Sequence, residues 1–379
     1  MSLDGYRKKI DELDCDILSK LEERMRVAEK IARVKKEEGL PIENLLREKE
    51  LMNGILEKSS PDLVGYNRIL YNTIFELSKD HQRKVINEES VLIGEIRKAM
   101  ESTSGDLPQN PVVACQGIQG AYSQEACEKL FKMPKIMYVE NFSGVFSAIE
   151  SGLCQYGILP LENSSAGSVN QVYNLMMEYD FHIVRSIKLK INHYLLALPG
   201  VKASDIKEII SHPQALAQCE EYLRKYPNAR ITECENTAIA AKRVSESRRS
   251  DFAAIGSEEN GRLYGLNTLD DCIQDRENNY TRFIAISKKL EIYPGANKTS
   301  LMMVLDHKPG ALYNVLARFN AMGINLEKLE SRPLPERDFE FMFYFDIQES
   351  VYSEEFVRMI NQLEEISREF KYLGSYLDY

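Results

Sequence analysis

Apolar residues recur at helical spacing along the first stretch of the chain, at Ile10, Leu13, Ile17, Leu21, Met25, Ala28 and Ile31. The pattern predicts one helix of about 35 residues. A helix of that length is not sustained by propensity alone and calls for a long helical partner along its stripe. Residues 2 to about 86 hold almost no β-branched runs, and Pro41 and Pro61 mark the breaks. A second helix is expected over about 43–57 and a third over about 62–86. The all-α first domain therefore spans 1–90. A linker over 91–110 follows, marked by the polar stretch "MESTSGDLPQNP".

From Pro111 the texture changes. Short apolar strands such as "PVVACQG", "KIMYVE", "QYGILPLEN", "DFAAIG" and "RFIAIS" alternate with helical segments. This predicts an α/β region over 111–288 with mostly parallel strands. Residues 297–379 then read strand, helix, two strands, helix and strand, the α+β ferredoxin-like βαββαβ order.

The formal net charge of −10 excludes a broad nucleic-acid-binding face. Any anionic ligand would have to meet locally concentrated Arg and Lys. Seven cysteines without a CxxC pair suit reduced thiols. The five histidines are scattered without ligand spacing, so no metal is expected. No run approaches the ~20 apolar residues that span a bilayer. "MSLDGYRKKIDEL" has no signal-peptide core, and a cytoplasmic location is expected.

Arg24 and Lys35 share a helix face within about 20°, roughly 16 Å apart along the axis. Their long side chains could clamp one small dianion, although solvated helix faces are an equal alternative. Arg7 lies roughly 25 Å from Arg24 and about 100° around the helix, so it could serve only a partner's site. The segment "YRKKIDELDCDILSKLEERMRVAEKIARVKKEEGLPIENLLREKEL" resembles the all-helical chorismate mutases, intertwined dimers that convert chorismate to prephenate. The resemblance implies that Arg24 and Arg47, with Arg7 from the other subunit, bind carboxylates. It places Lys35 and Gln82 on the breaking ether oxygen, Glu48 on the substrate hydroxyl and Ser78 on a carboxylate. At Asn44, where an acidic residue is common in the family, a backbone contact is expected. A Claisen rearrangement transfers no proton, so compaction of the dianion and hydrogen bonds to one oxygen supply the catalysis.

In the α/β region "CQGIQGAYSQEA" sets Gly117 and Gly120 before a helix, an ordinary turn or an anion site. "LPLENSSAGSVNQ" places Glu162, Asn163 and Ser164 just after a strand. "SHPQALAQC" sets Ser211 and Gln218 on one helix face if it is helical. Together with "NNYTRF" these stretches resemble prephenate dehydratase, two α/β subdomains with the site between them. The resemblance implies that Thr281 assists the departing hydroxyl, with Glu162, Asn163, Ser164, Ser211 and Gln218 completing the polar wall. Strand alternation puts Thr281 and Phe283 on one face and Arg282 on the other, so Arg282 serves the site or the structure.

The C-terminal unit resembles an ACT domain, which binds amino acids between paired subunits. "GALY" (Gly310, Ala311, Leu312, Tyr313) and "ESRP" (Glu330, Ser331, Arg332, Pro333) match the family's phenylalanine-binding motifs. Tyr313 stands where a smaller residue is usual. A plain dimerisation module is the alternative. The whole implies a homodimer or higher oligomer that makes prephenate and then phenylpyruvate without cofactors, with L-phenylalanine as feedback ligand. A non-catalytic amino-acid sensor and an arogenate-dehydrating enzyme are the competing readings.

Overall fold

The computed structural model describes residues 2–86, 90–103, 105–334 and 340–379. Residues 87–89 and 104, expected in the first domain and the linker, lie outside the described residues, as do Met1 and 335–339. The chain forms two compact units, Met1–Val91 and Leu92–Tyr379.

The first unit is three helices: α1 (Leu3–Glu38), α2 (Leu45–Lys58) and α3 (Val64–Ile86). Ser2 caps α1, and Gly39 ends it in the left-handed conformation at φ 65°. Along α1 only Ala28 and Ala32 are buried, while Leu3, Tyr6, Ile10, Leu13 and Ile17 remain exposed. The stripe that predicts this helix is thus largely uncovered within one chain.

Helix α4 (Val91–Ser102) lies, all but its first residue, in the second unit. The expected linker is therefore helical over its first half. Ile93, Ile96 and Ala99 recur at helical spacing and enter a core with Phe319, Phe345 and Leu363 near the C-terminus. Their burial outweighs the polar composition that follows from residue 101.

One lobe holds β1 (Val112–Gln116), α5 (Tyr122–Leu130), β2 (Lys135–Val139), α6 (Phe142–Glu150), β3 (Tyr156–Asn163), β4 (Gly167–Ser168), α7 (Asn170–Glu178) and β5 (His182–Lys190). The chain then crosses to a second lobe. That lobe holds β6 (Tyr194–Ala197), β7 (Glu208–Ser211), α8 (Pro213–Ala217), α9 (Glu220–Leu223), β8 (Arg230–Glu233), α10 (Thr237–Ser247), β9 (Phe252–Gly256), α11 (Glu258–Tyr264) and β10 (Asn267–Asp270). It returns to the first lobe as β11 (Tyr280–Ser287). The last module is β12 (Lys298–Val304), α12 (Ala311–Ala321), β13 (Asn325–Pro333), β14 (Phe341–Gln348), α13 (Glu354–Ile366) and β15 (Glu369–Asp378).

Among the described residues the second lobe is a five-stranded sheet ordered β10-β6-β9-β7-β8. The rest is one ten-stranded sheet ordered β13-β14-β12-β15-β5-β11-β3-β1-β2, with β4 beside β3. The expectation of mostly parallel strands is corrected to mixed sheets. β11 runs antiparallel to both β3 and β5, because the chain returns from the second lobe in the opposite sense. The last module also does not keep a separate sheet. β15 pairs in parallel with β5 through Leu377 opposite Arg185 and Asp378 opposite Ser186. Gly374 permits this approach, since at φ 138° a Cβ would collide with the backbone carbonyl of Ile183. Tyr173, Phe181 and Ile284 consequently share a core with Tyr344 and Tyr376. No helix of the described residues is long and apolar enough to cross a membrane.

Candidate active site

In the helical unit, α3 turns Phe75, Ser78, Lys79 and Gln82 inward at helical spacing. The Arg24 guanidinium lies 5.8 Å from the Phe75 ring centroid. Its Nη1 and the Gln82 Oε1 are buried polar atoms without a hydrogen-bond partner. Such atoms carry a desolvation cost that a polar ligand would relieve. Burial lowers the pKa of Arg24, and does the same for Lys35 despite the nearby Glu48. The Lys35 ammonium donates to the Ile42 carbonyl at 2.5 Å. Sequence reasoning missed Lys79, which lies between Glu76 at 2.7 Å, Glu48 at 3.4 Å and Glu43 at 3.5 Å. Burial alone would lower the Lys79 pKa, but these carboxylates outweigh it and raise the value.

Arg47 does not join this cluster. Its side chain is 64% exposed and pairs with Glu50. Arg7 is also exposed, paired with Asp4. The Asn44 side chain caps α2 by accepting from the Arg47 N–H.

The second site is a cleft of about 420 Å³ between the two lobes of the larger unit. It is lined by Thr281, Phe283, Asn163 and Gln218, with His193, His212, Glu140 and Glu235 around them. Among the described residues neither Arg nor Lys lines this cleft. Helix N-termini stand in their place. Tyr122 and Ser123 begin α5, Asn141 and Phe142 are the cap and first residue of α6, Gln171 lies in the first turn of α7, and Asn236 and Thr237 are the cap and first residue of α10. Each such end carries roughly half a positive charge and unpaired N–H groups. Asn141 and Asn236 cap their own helices, whereas α5 and α7 have no side-chain cap.

Hydrogen bonds fix the polar wall. The Asn163 Oδ1 accepts from the Ser165 and Ala166 N–H groups, each at 2.9 Å. Its Nδ2 therefore donates, to Thr281 Oγ1 at 2.9 Å and Asn279 Oδ1 at 2.8 Å. The Thr281 hydroxyl spends a lone pair on Asn163, which leaves its proton for a ligand.

Three expected wall residues stand elsewhere, and Arg282 is structural. Ser211 is fully buried and donates to the Ile255 carbonyl. It ends β7, while Gln218 follows the short α8, so the two share no helix face. Ser164 donates to the Asn278 carbonyl and accepts from the Tyr280 N–H, pinning the returning segment. Glu162 and Arg282 alternate with Asn163 and Thr281 on paired strands, which turns them away from the cleft. Arg282 donates to Glu162 at 3.2 Å, to the Tyr376 hydroxyl at 2.7 Å and to the fully buried Asp346. Burial alone would lower its pKa, but Tyr376 and Asp346 more than offset this and hold the cation. Burial would likewise raise Glu162, yet Lys328 and Arg282 keep its carboxyl below the ordinary value.

In the last module, Leu305, Ala311, Leu312, Phe341 and Phe343 line a second cavity of about 420 Å³. Gly310, left-handed at φ 87°, opens α12 beside it without a side-chain cap. Tyr313 is exposed. The residues of "ESRP" do not line this cavity. Glu330 accepts from Ser168 at 2.7 Å, and Arg332 donates to Asn170 at 2.8 Å and to Asn174. Both reach across to the first lobe, because β13 alternates along the edge of the shared sheet.

Two family models match the chain: chorismate mutase type II over residues 6–83 and prephenate dehydratase over 113–291. The bifunctional chorismate mutase/prephenate dehydratase of Escherichia coli (strain K12) is 30% identical over 98% of this chain and 95% of its own. The chain belongs to the bifunctional chorismate mutase/prephenate dehydratase family. Within the dehydratase part, arogenate dehydratase/prephenate dehydratase 2 of Arabidopsis thaliana is 39% identical, over 70% of this chain and 72% of the plant protein. A solved prephenate dehydratase from Arthrobacter aurescens, in complex with L-Phe, is 29% identical with a TM-score of 0.64. It covers 70% of this chain and 89% of its own.

Proposed function

We propose that the helical unit rearranges chorismate to prephenate and that the lobed unit converts prephenate to phenylpyruvate. Thr281 carries the second assignment: its hydroxyl faces the cleft with its lone pair already engaged by Asn163. A carboxylate of prephenate would sit on the uncapped start of α5. Carbon dioxide leaves the quaternary ring carbon, its electron pair aromatises the ring, and hydroxide leaves the opposite carbon with help from the Thr281 proton. A threonine alone is a weak acid, so the gain comes from a fixed donor in a partly dry site. In the first unit, the Arg24 Nη1 and the Gln82 Oε1 lack hydrogen-bond partners, while the Gln82 Nε2 that the ether oxygen would need donates to Ser78.

We assign the α1 stripe to a second copy of the chain. Tyr6, Ile10 and Leu13 are exposed on the same segment as Arg7, and pairing would bring that arginine to the partner's site. L-phenylalanine is assigned to the cavity at α12, its ring among Leu305, Leu312 and Phe343 and its carboxylate on the helix start. The bridges from β13 to Glu162 and Ser168 would transmit occupancy to the cleft.

The experiment is to supply chorismate and follow prephenate and phenylpyruvate together. Prephenate without phenylpyruvate would refute the cleft assignment. Arogenate is the second reading, favoured by Glu140 and Glu235 at a cleft without lysine or arginine among the described residues. Either acid could receive an amino group, and comparing kcat/KM for the two substrates decides it.

A further inference from the structure

We propose that His193 and Asn279 are positioning residues for the dehydration, acting through Gln218 and Asn163 to keep the Thr281 proton aimed at the departing oxygen. The proposal rests on the dehydratase reading of the cleft. It follows from the directions of the hydrogen bonds. Two backbone N–H groups identify the Asn163 oxygen. The Gln218 atom 3.2 Å from that oxygen must then be Nε2, a donor. Gln218 therefore turns its Oε1 to the Asn279 Nδ2 at 2.9 Å and the His193 Nε2 at 2.8 Å. A carbonyl oxygen only accepts, so His193 carries its proton on Nε2.

The chain of donors runs one way, from His193 to Gln218 to Asn163 to Thr281. Flipping the Gln218 amide would set its oxygen against the Asn163 oxygen and its nitrogen against the Asn279 nitrogen. His193 is 2% exposed and Asn279 1%, so water does not replace them. The His193 Nδ1 has no partner. Burial lowers the ring's pKa against the opposing bond to Gln218, consistent with a neutral ring.

The placement in the fold matters as much as the bonds. His193 lies on the segment that leaves the first lobe after β5, and Asn279 on the segment that returns before β11. The two crossovers are tied together, Ile191 N–H to the Asn279 carbonyl at 2.8 Å and Ile273 N–H to the His193 carbonyl at 3.0 Å. Gln218 belongs to the second lobe, and Asn163 and Thr281 to the first. The network therefore assembles only when the lobes hold this separation, which links their closure to the orientation of the catalytic hydroxyl.

The test compares His193→Leu with His193→Gln in the full chain. The Leu variant should lose on the order of tenfold in dehydratase kcat, as expected for one hydrogen bond, with KM changed less than about threefold. The Gln variant restores a donor and should recover most of kcat. Chorismate mutase turnover should stay normal in both, and thermal unfolding measured alongside reports the folding of the larger unit, to which His193 belongs. Equal impairment of the two variants, or normal kcat in His193→Leu, would overturn the proposal. A second measurement needs no variant: nitrogen NMR of labelled histidine should show His193 as the Nε2–H tautomer at neutral pH. An Nδ1–H ring or an imidazolium would refute the chain. A wild-type protein without dehydratase turnover but with the Nε2–H tautomer would instead sink the reading of the cleft.

Discussion

Replacing Arg282 with methionine tests whether the last module holds β11 in place. The arginine is 4% exposed and bonded to Asp346, which is fully buried. Its other carboxylate neighbours keep cations of their own: Glu162 has Lys328, and Asp378 has Lys298 at 2.6 Å. Asp346 is stranded, with the Ser300 and Tyr344 hydroxyls left to it among the described residues. An uncompensated buried charge costs about 3–5 kcal/mol. In a unit of this size that lowers Tm on the order of 10 °C. Arg282→Met/Asp346→Leu removes both charges, and Ser300 can still pair with the Tyr376 hydroxyl at 2.6 Å. The double variant should lie within about 2 kcal/mol of wild type, so the coupling is at least about 1–3 kcal/mol before the loss in Asp346→Leu alone is added. Thermal unfolding read alongside dehydratase turnover makes the measurement, since Thr281 is the preceding residue on β11. If Arg282→Met melts with wild type, or the losses of the single variants simply add, the buried pair does not hold the strand.

Three further outcomes follow from the same geometry. Thr281→Val should lower dehydratase kcat by about 10²–10⁴-fold while Thr281→Ser retains most of it, with mutase turnover as control; unchanged turnover in the Val variant would remove the hydroxyl from the mechanism. Arg24→Leu should cut mutase kcat/KM by at least about 10²-fold and spare dehydration of added prephenate, which separate assays of the two reactions would show. Burial would raise the Asp378 carboxyl, but Lys298 and Ser186 hold it down at about 2, below an ordinary value of 3.8. A depressed folded-state value means that its contribution, about 2 kcal/mol, is complete above pH ~4 and is lost as pH falls toward 2. Asp378→Asn should flatten unfolding free energy across that window.

Several site residues were legible because their signals are local. Thr281 and Phe283 share a strand face with a two-residue period, and the same period, carried back one step, would have found Asn279. Asn163 stands at a strand end, where ligands of α/β folds gather. His193 had no such signal, since a lone histidine after a strand gains its meaning only from Gln218 opposite. Glu162, Ser164 and Ser211 carry the right chemistry in the right stretches, yet backbone direction turned each toward structure.

Taken alone, the order of residues determined the long first helix, the alternating middle and the βαββαβ close, because periodicity and turn chemistry act between near neighbours. It also fixed which lysines, arginines and hydroxyls were available. Only the tertiary structure decided that the last module shares a sheet with the first lobe, since that needed Gly374 to admit Ile183 from far along the chain. It alone decided that helix ends rather than cations face the cleft, and which atom of each amide donates. Those outcomes depend on groups from different elements and lobes being buried together, where an unpaired polar atom is costly and one arrangement satisfies them all.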